Sequence, residues 1–538
     1  MGSKAFVPFD EVCLLRLGLR KDSNIAKKSS TAMGAESEKQ ERGQPFYYSH
    51  VWKNVSLVAL SLLCLPVSAG LVLCCLILQR INGRDKVLQA EQRSTAVTQR
   101  KTILVTGVSM TKGLSIARVL SQNTQHRVIG ADISALSPGR FSSAIAKYYR
   151  LDTPNGDDAE PYIDSILSVI RNEKVDLWIS CSSVIAAVED GQVVRLAQQQ
   201  AQAAGRRFEA IQFNEHEVEK FHEKDKFIDY IQSLDLLIPE SHRVTSPEEA
   251  LSILLRDTSD KPADASKSFL MKPIGVDDHA RNAMMTRLPL STPAKTRQYI
   301  HALNITPQTP FQLQQHIAGD EYCTHALVVR GAVKAFCSCP SRELLMHYTA
   351  LPTQCLLNQA MLNFTRRVAA AGGAGFTGHL SFDFLVPDTG DGEVVLYPIE
   401  CNPRAHTAVV LFENTPEMAG AYLSALDRRK DGGAVEGPVF PRAPARSYYW
   451  IGHEVVCCLL LPLLDAVVGA GPWSGLREGV ETFWKRLGGW RDGTLTVQDP
   501  WPFFVLYHVY WPARFVECLM KGKAWSRINV STTKMFEI

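Results

Sequence analysis

The run Val394-Val-Leu-Tyr-Pro-Ile-Glu-Cys-Asn-Pro-Arg404 sets Glu400 and Asn402 two residues apart. On a β-strand that spacing turns both side chains to one face. Upstream, Gly378-His-Leu-Ser-Phe-Asp-Phe-Leu-Val386 carries Asp383, and the Gly390–Gly392 stretch predicts a turn that pairs the two runs antiparallel. Asp383, Glu400 and Asn402 would then converge as three oxygen donors. Oxygen-only donors suit Mg²⁺, a hard cation that keeps waters and takes nucleotide phosphates alongside. A plain carboxylate pair on a solvated sheet face fits less well, because Phe382, Phe384, Leu396 and Ile399 make both strands apolar.

Other polar runs precede this pair. His222-Glu-Lys-Asp-Lys-Phe-Ile-Asp starts a predicted helix, Phe269-Leu-Met-Lys-Pro places Lys272 at the end of a predicted strand, and Phe311-Gln-Leu-Gln-Gln-His-Ile-Ala-Gly-Asp-Glu321 reads as a strand entering a turn. In this order, D-K, strand-K-P, Q-Q-x-I-x-G-D-E, F-D-F and E-x-N-P-R resemble the ATP-grasp ligases over roughly residues 101–430. The resemblance implies that Lys226 and Lys272 hold the ATP phosphates. It implies that Gln314 faces the adenine amino group, that the backbone around Gln315 and Ile317 meets the adenine edge, and that Glu321 holds the ribose hydroxyls. Asp383, Glu400 and Asn402 would bind two Mg²⁺ ions, with Mn²⁺ as the alternative, and Arg404 would stabilise the transferred phosphoryl charge. Such roles suit phosphoryl transfer, which needs positioning and charge neutralisation more than covalent help. One departure stands out: the loop after Lys272, Gly275-Val-Asp-Asp-His-Ala-Arg281, has a single glycine where relatives are glycine-rich. A cation for the carboxylate of a second substrate would come from Arg281, Arg342 or His406.

The blocks VTGVSMTKGL, VEDGQ, HEKDKFI, KPIGVDD, SRELLMHYTALP, GHLSFDF and IECNPRAHTA are similar to the ATP-grasp enzymes of mycosporine biosynthesis, which join glycine to 4-deoxygadusol to give mycosporine-glycine. That resemblance implies a carbon–nitrogen ligase releasing ADP and phosphate. Two other readings stay open: a general carboxylate–amine ligase acting on amino acids or peptides, and a membrane-anchored nucleotide-binding scaffold without turnover.

These residues need a framework. Lys101 opens a predicted βαβ unit, with strands at Ile103–Val105 and Arg127–Asp132 and a helix from Leu114. It is not a phosphate-binding P-loop, which needs G-x4-G-K-[ST], because Lys112 precedes Gly113. Further strands at Val175–Cys181 and Ala210–Phe213 flank a helix at Asp190–Ala203. The expected fold is α/β: a Rossmann-like domain over 101–220, an ATP-grasp domain over 221–430 and a linker over 431–446.

Both ends of the chain differ from this body. Val55–Leu78 is 24 residues without a charge, about 36 Å of helix against a hydrocarbon core of about 30 Å. The expected plan is a polar tail over 1–50, a single transmembrane helix over 51–80 and a linker over 81–100. ATP use would place the catalytic body in the cytosol. The flanking basic residues leave the orientation unread. Residues 447–538 form a C-terminal extension rich in Trp and Tyr, either membrane-associated or packed on the folded body. With 58 Lys+Arg against 55 Asp+Glu, no global basic field argues for a nucleic-acid partner. The 13 cysteines hold no C-x-x-C, which speaks against a zinc ribbon or a disulfide framework.

Overall fold

The computed structural model describes residues 50–92, 99–154, 158–181, 186–255, 267–274, 286–341, 346–390, 392–427 and 437–537. These form two compact units. One contains the first helix, the segment Leu136–Ser142 and the chain from Tyr448 onward; the other contains Val97–Ala135 and Ser143–Ser447.

The first helix, α1 (His50–Gln92), holds the apolar run with Pro66 inside it. It is 43 residues long and continues through much of the expected 81–100 linker. The residues after Gly83 are mostly good helix formers, with no Pro or Gly to end the helix before Gln92.

In the larger unit, β1 (Thr102–Thr106), α2 (Thr111–Asn123), β2 (Arg127–Asp132), β3 (Tyr148–Arg150), α3 (Glu160–Asn172), β4 (Leu177–Ile179), α4 (Ala187–Ala203) and β5 (Glu209–Ile211) follow in chain order. The five strands are parallel, in the order β3-β2-β1-β4-β5. Continuous apolar strands such as β1 are expected where helices cover both faces of a sheet. Leu104, Ile129, Ile166, Val193 and Trp178 fill one side. The turn after β1 requires glycine. Gly107 has φ +69°, and a Cβ there would lie 2.5 Å from the Cys181 carbonyl oxygen.

Next come α5 (Glu215–His222) and α6 (Lys224–Ser233), separated at Glu223, whose ψ of 123° is extended. The helix expected from His222 therefore starts two residues later. β6 (Ser241–Val244), α7 (Pro247–Leu254), β7 (Ser268–Pro273), α8 (Pro293–Ala302) and β8 (Phe311–His316) build an antiparallel sheet in the order β6-β8-β7. Its own core includes Val244, Leu251, Met271, Ile300 and Leu313.

The last sheet of this unit has the order β10-β9-β11-β12, from β9 (Asp320–Val329), β10 (Ala332–Pro340), β11 (Gly378–Val386) and β12 (Tyr397–Asn402), with α9 (Leu356–Ala371) between β10 and β11. Phe382 and Phe384 pack edge-on to Phe364 of α9, at 5.2 and 5.0 Å between ring centroids. Strand alternation then turns the intervening Asp383 to the opposite face. A 3₁₀ turn (Thr407–Phe412) and α10 (Glu417–Leu423) follow.

The smaller unit adds β13 (Tyr448–Tyr449), α11 (Ile451–Glu454), α12 (Leu461–Val467), α13 (Trp473–Gly489), β14 (Arg491–Asp492), α14 (Trp501–Val505), α15 (Trp511–Lys521) and the hairpin β15 (Trp525–Asn529) and β16 (Lys534–Glu537). π-helical turns join α11 to α12 (Val455–Leu460) and α14 to α15 (Leu506–Tyr510).

Candidate active site

The site grows from the β11–β12 pairing. Asp383 stands opposite Glu400, and Ser381 opposite Asn402, in an antiparallel ladder with a bulge just past Asp383. The antiparallel pairing expected of these two runs is observed, and its register gathers the three polar side chains on one face. The Asn402 amide nitrogen lies 3.4 Å from Asp383 Oδ2 and 3.3 Å from Glu400 Oε1. Arg404 closes the group, its guanidinium donating to Asn402 Oδ1 at 2.8 Å. Three oxygen donors were expected to converge here. Instead the Asn402 oxygen faces Arg404 and its NH₂ sits between the carboxylates, so the amide must turn over to act as an oxygen ligand.

Electrostatically the group is under tension. Burial raises the Asp383 carboxyl well above its usual range, and the neighbouring Glu400 carboxylate raises it further. Asp383 Oδ1 is buried without a hydrogen-bond partner among the described residues. Burial lowers the Arg404 guanidinium, while Glu400 and Asp383 oppose that shift. Two crowded carboxylates with an unsatisfied buried oxygen fit a divalent cation. Among the described residues no group of three or more His, Cys, Asp or Glu is placed to hold a metal. A set of two carboxylates and an amide matches Mg²⁺, which completes its shell with water and phosphate oxygens, rather than zinc.

The second cluster lies on the β6-β8-β7 sheet. Lys272 Nζ donates to Gln314 Oε1 at 2.6 Å, and the Gln314 amide donates to Ser241 Oγ at 3.3 Å. Gln314 is thus a partner of the lysine in this structure. The Gln315 amide donates to the Glu240 carbonyl at 2.7 Å, and the Glu240 amide donates back to Gln315 Oε1 at 3.2 Å. The Gln315 N–H is therefore already engaged, and Ile317, just past the strand, is buried. Glu321 keeps an open flank at the start of β9. Crowding by protein is the leading cause that raises its carboxyl; Ser341 opposes this, Glu400 adds to it and Lys272 opposes it. That chain of influences links the lysine cluster to the carboxylate cluster. Lys226 is brought to neither; it is half-exposed and paired with Glu223 one turn back, at 3.1 Å.

His406 departs from expectation. It is buried, its Nδ1 accepts from the Ala408 amide at 3.2 Å as the cap of the 3₁₀ turn, and its own amide donates to His325 Nδ1 at 3.3 Å. Burial, with His325, Arg404 and Lys112 adding to it, holds its imidazole well below the usual range. A neutral capping ring cannot supply the cation expected of it. Arg281 and Arg342 lie outside the described residues, as do all of residues 275 to 285 after Lys272.

Two residues escaped the sequence reading. Gln312 is buried on the face of β8 shared with Gln314, opposite Lys272 in the ladder, and its Oε1 has no hydrogen-bond partner among the described residues. The alternation in Phe311-Gln-Leu-Gln would have revealed it. Lys112, in the first turn of α2, is 1% exposed. Burial lowers its ammonium to about 7, with Arg404 adding to the drop. Its only sequence signal was its place in the glycine turn.

No protein-family model matches the chain, and no curated protein matches it. Among solved structures it is similar to N5-carboxyaminoimidazole synthetase from Staphylococcus aureus, at 12% identity over 57% of this chain and 71% of that one, with a TM-score of 0.39. It is also similar to the biotin carboxylase domain of 2-oxoglutarate carboxylase from Hydrogenobacter thermophilus, at 13% identity, 61% and 70% coverage and a TM-score of 0.43. L-amino acid ligase from Bacillus licheniformis is similar at 14% identity, 58% and 68% coverage and a TM-score of 0.37.

Proposed function

We propose that the chain is an ATP-grasp ligase, ADP-forming and Mg²⁺-dependent, that joins an amine to a phosphate-activated acid. One observation carries the reading: the β11–β12 register gathers Asp383, Glu400, Asn402 and Arg404 into one cluster. Asp383, Glu400 and a turned Asn402 would hold Mg²⁺, with a second ion or Mn²⁺ as variants, and the metal supplies charge neutralisation to the phosphates. Lys272, steadied by Gln314, holds phosphate oxygens; Lys226 reaches them on rearrangement of its pair with Glu223. Ile317 and Glu321 frame the nucleoside, and Gln314 and Gln315 line the strand beneath it. Arg404 meets the charge on the phosphoryl group in flight. The γ-phosphoryl bond to ADP breaks as a bond to an acceptor oxygen forms. The amine then attacks the activated carbon, loses its proton, and phosphate leaves with that oxygen. No side-chain nucleophile is required.

The parallel sheet over 101–220 serves in this reading as a Rossmann-like scaffold for the acceptor. The motif blocks support a finer assignment: glycine as the amine and 4-deoxygadusol as the acceptor, activated as an enol phosphate. α1 anchors the enzyme in a membrane with its catalytic body in the cytosol. Full-length protein with ATP, Mg²⁺ and an amino-acid mixture, with and without 4-deoxygadusol, tests both levels. Expected are amino-acid-dependent ADP release and a product of the mass of mycosporine-glycine. Turnover only with other acids overturns the finer assignment and favours the general carboxylate–amine ligase; ATP binding without ADP under any mixture overturns the enzyme.

A further inference from the structure

The 17 residues of α13 divide into three arcs at 100° per residue. One arc is small and packed. Gly475 and Gly479 are buried, and a Cβ on Gly479 would overlap the Cys458 carbonyl oxygen on the π-turn alongside. Such small-xxx-small spacing lets helix backbones approach closely. Arg486, on the same arc, donates to Glu454 at 2.8 Å, a carboxylate with no exposed side chain. The second arc is apolar and faces outward: Trp473 (63% exposed), Trp484 (64%) and Leu487, with half-buried Val480 between them. The third carries Arg477, Glu481 and Lys485, all exposed. A helix with a packed seam, a Trp-rich edge and a charged edge has the build of one lying in a membrane–water interface.

α13 belongs to the same compact unit as α1, whose outer sides are apolar as well. On α1, Asn54, Ser61, Ser68 and Cys75 recur every seven residues on its covered side, while Leu63, Val67 and Leu73 on other sides stay exposed. The covered side is met by the C-terminal chain running antiparallel. Trp525 Nε1 donates to Asn54 Oδ1 at 3.0 Å, Ser61 Oγ donates to the Tyr507 carbonyl at 2.9 Å, and Gln79 donates to the Val497 carbonyl at 2.5 Å. Lys53 lies 3.7 Å over the Trp525 ring at one end. Asn54, Ser61 and Gln79 of α1 thus bond inward while Leu63, Val67 and Leu73 stay outward, the reverse of a water-facing helix.

We propose that α13 is an interfacial membrane helix, its Trp473–Trp484–Leu487 edge in the lipid of the bilayer that holds α1. This rests on the reading of α1 as a membrane helix. The test places full-length protein in vesicles of phosphatidylcholine, with plain or brominated acyl chains, and compares it with the double variant W473F/W484F. Co-flotation after an alkaline wash reports on α1. Wild-type emission minus variant emission reports on the two tryptophans, and brominated lipid should lower that difference, because the edge sits about 5–10 Å into the headgroup–acyl boundary. Flotation with an unquenched difference overturns the proposal and leaves α1 in the membrane; the edge then faces water or a second copy. Loss of the chain from the vesicles overturns the membrane reading, and the proposal falls with it.

Discussion

At Glu400 and Asp383 two carboxylates share one face, and their repulsion is relieved only by a proton or a cation. Glu400→Gln removes one charge at nearly constant shape. Amine-dependent ADP release should then fall by about 10²- to 10³-fold, the usual loss when a charge-stabilising group is removed. The melting temperature of the apoprotein should hold or rise, because the repulsion is gone. Retained turnover would show that the pair has no catalytic part. Lys112 allows a pH test. Its ammonium titrates at about 7 in the folded protein against 10.5 in the unfolded chain. Between those values the unfolded state binds more protons, so stability falls as pH drops from about 10.5 to 7, and the penalty is complete below 7. Lys112→Met should remove this part of the pH dependence and raise the melting temperature at neutral pH relative to wild type, with the gap closing above pH 10. A constant gap from pH 7 to 10.5 would contradict the buried-cation account.

The turn after β1 is the element whose chemistry is least forgiving. Gly107 combines a positive φ with backbone only 2.5 Å from a would-be Cβ, so neither a rotamer change nor a small shift makes room. Gly107→Ala should cost at least about 1–3 kcal/mol and appear as a lowered melting temperature. An unchanged melting temperature would mean that the turn adopts another conformation. At β11–β12 the demand is different: Phe382 and Phe384 must remain on the α9 side for Asp383 to stay on the other, since a one-residue slip exchanges the faces.

Beside an α/β body of ordinary composition, the chain has a unit that buries Trp450, Phe503, Trp511 and Phe515 yet leaves Leu63, Val67, Trp473 and Trp484 exposed. α1 offers an apolar stretch with mean hydropathy 2.5 that is only 17% buried. Full-length protein should remain with the membrane pellet after alkaline carbonate and require detergent for release. Recovery in the carbonate supernatant would show that α1 is covered by protein instead.

Periodicity and turn chemistry are local, and so they were readable from sequence. The strand bearing Glu400 and Asn402, its partner bearing Asp383, their antiparallel pairing through the Gly390–Gly392 turn and the apolar run of α1 all follow from residues within a few positions of one another. Three things were decided only by tertiary packing, because each depends on residues far apart in the chain. Burial turned His406 into a neutral cap and made Lys112 a buried cation near Arg404. The Lys272–Gln314 bond arose from the β7–β8 register, across more than 40 residues. The C-terminal chain was placed along α1 by contacts that span some 420 to 470 positions, from Gln79 to Val497 and from Asn54 to Trp525. A pattern reports which face of an element is apolar; what that face meets is settled only when the chain closes on itself.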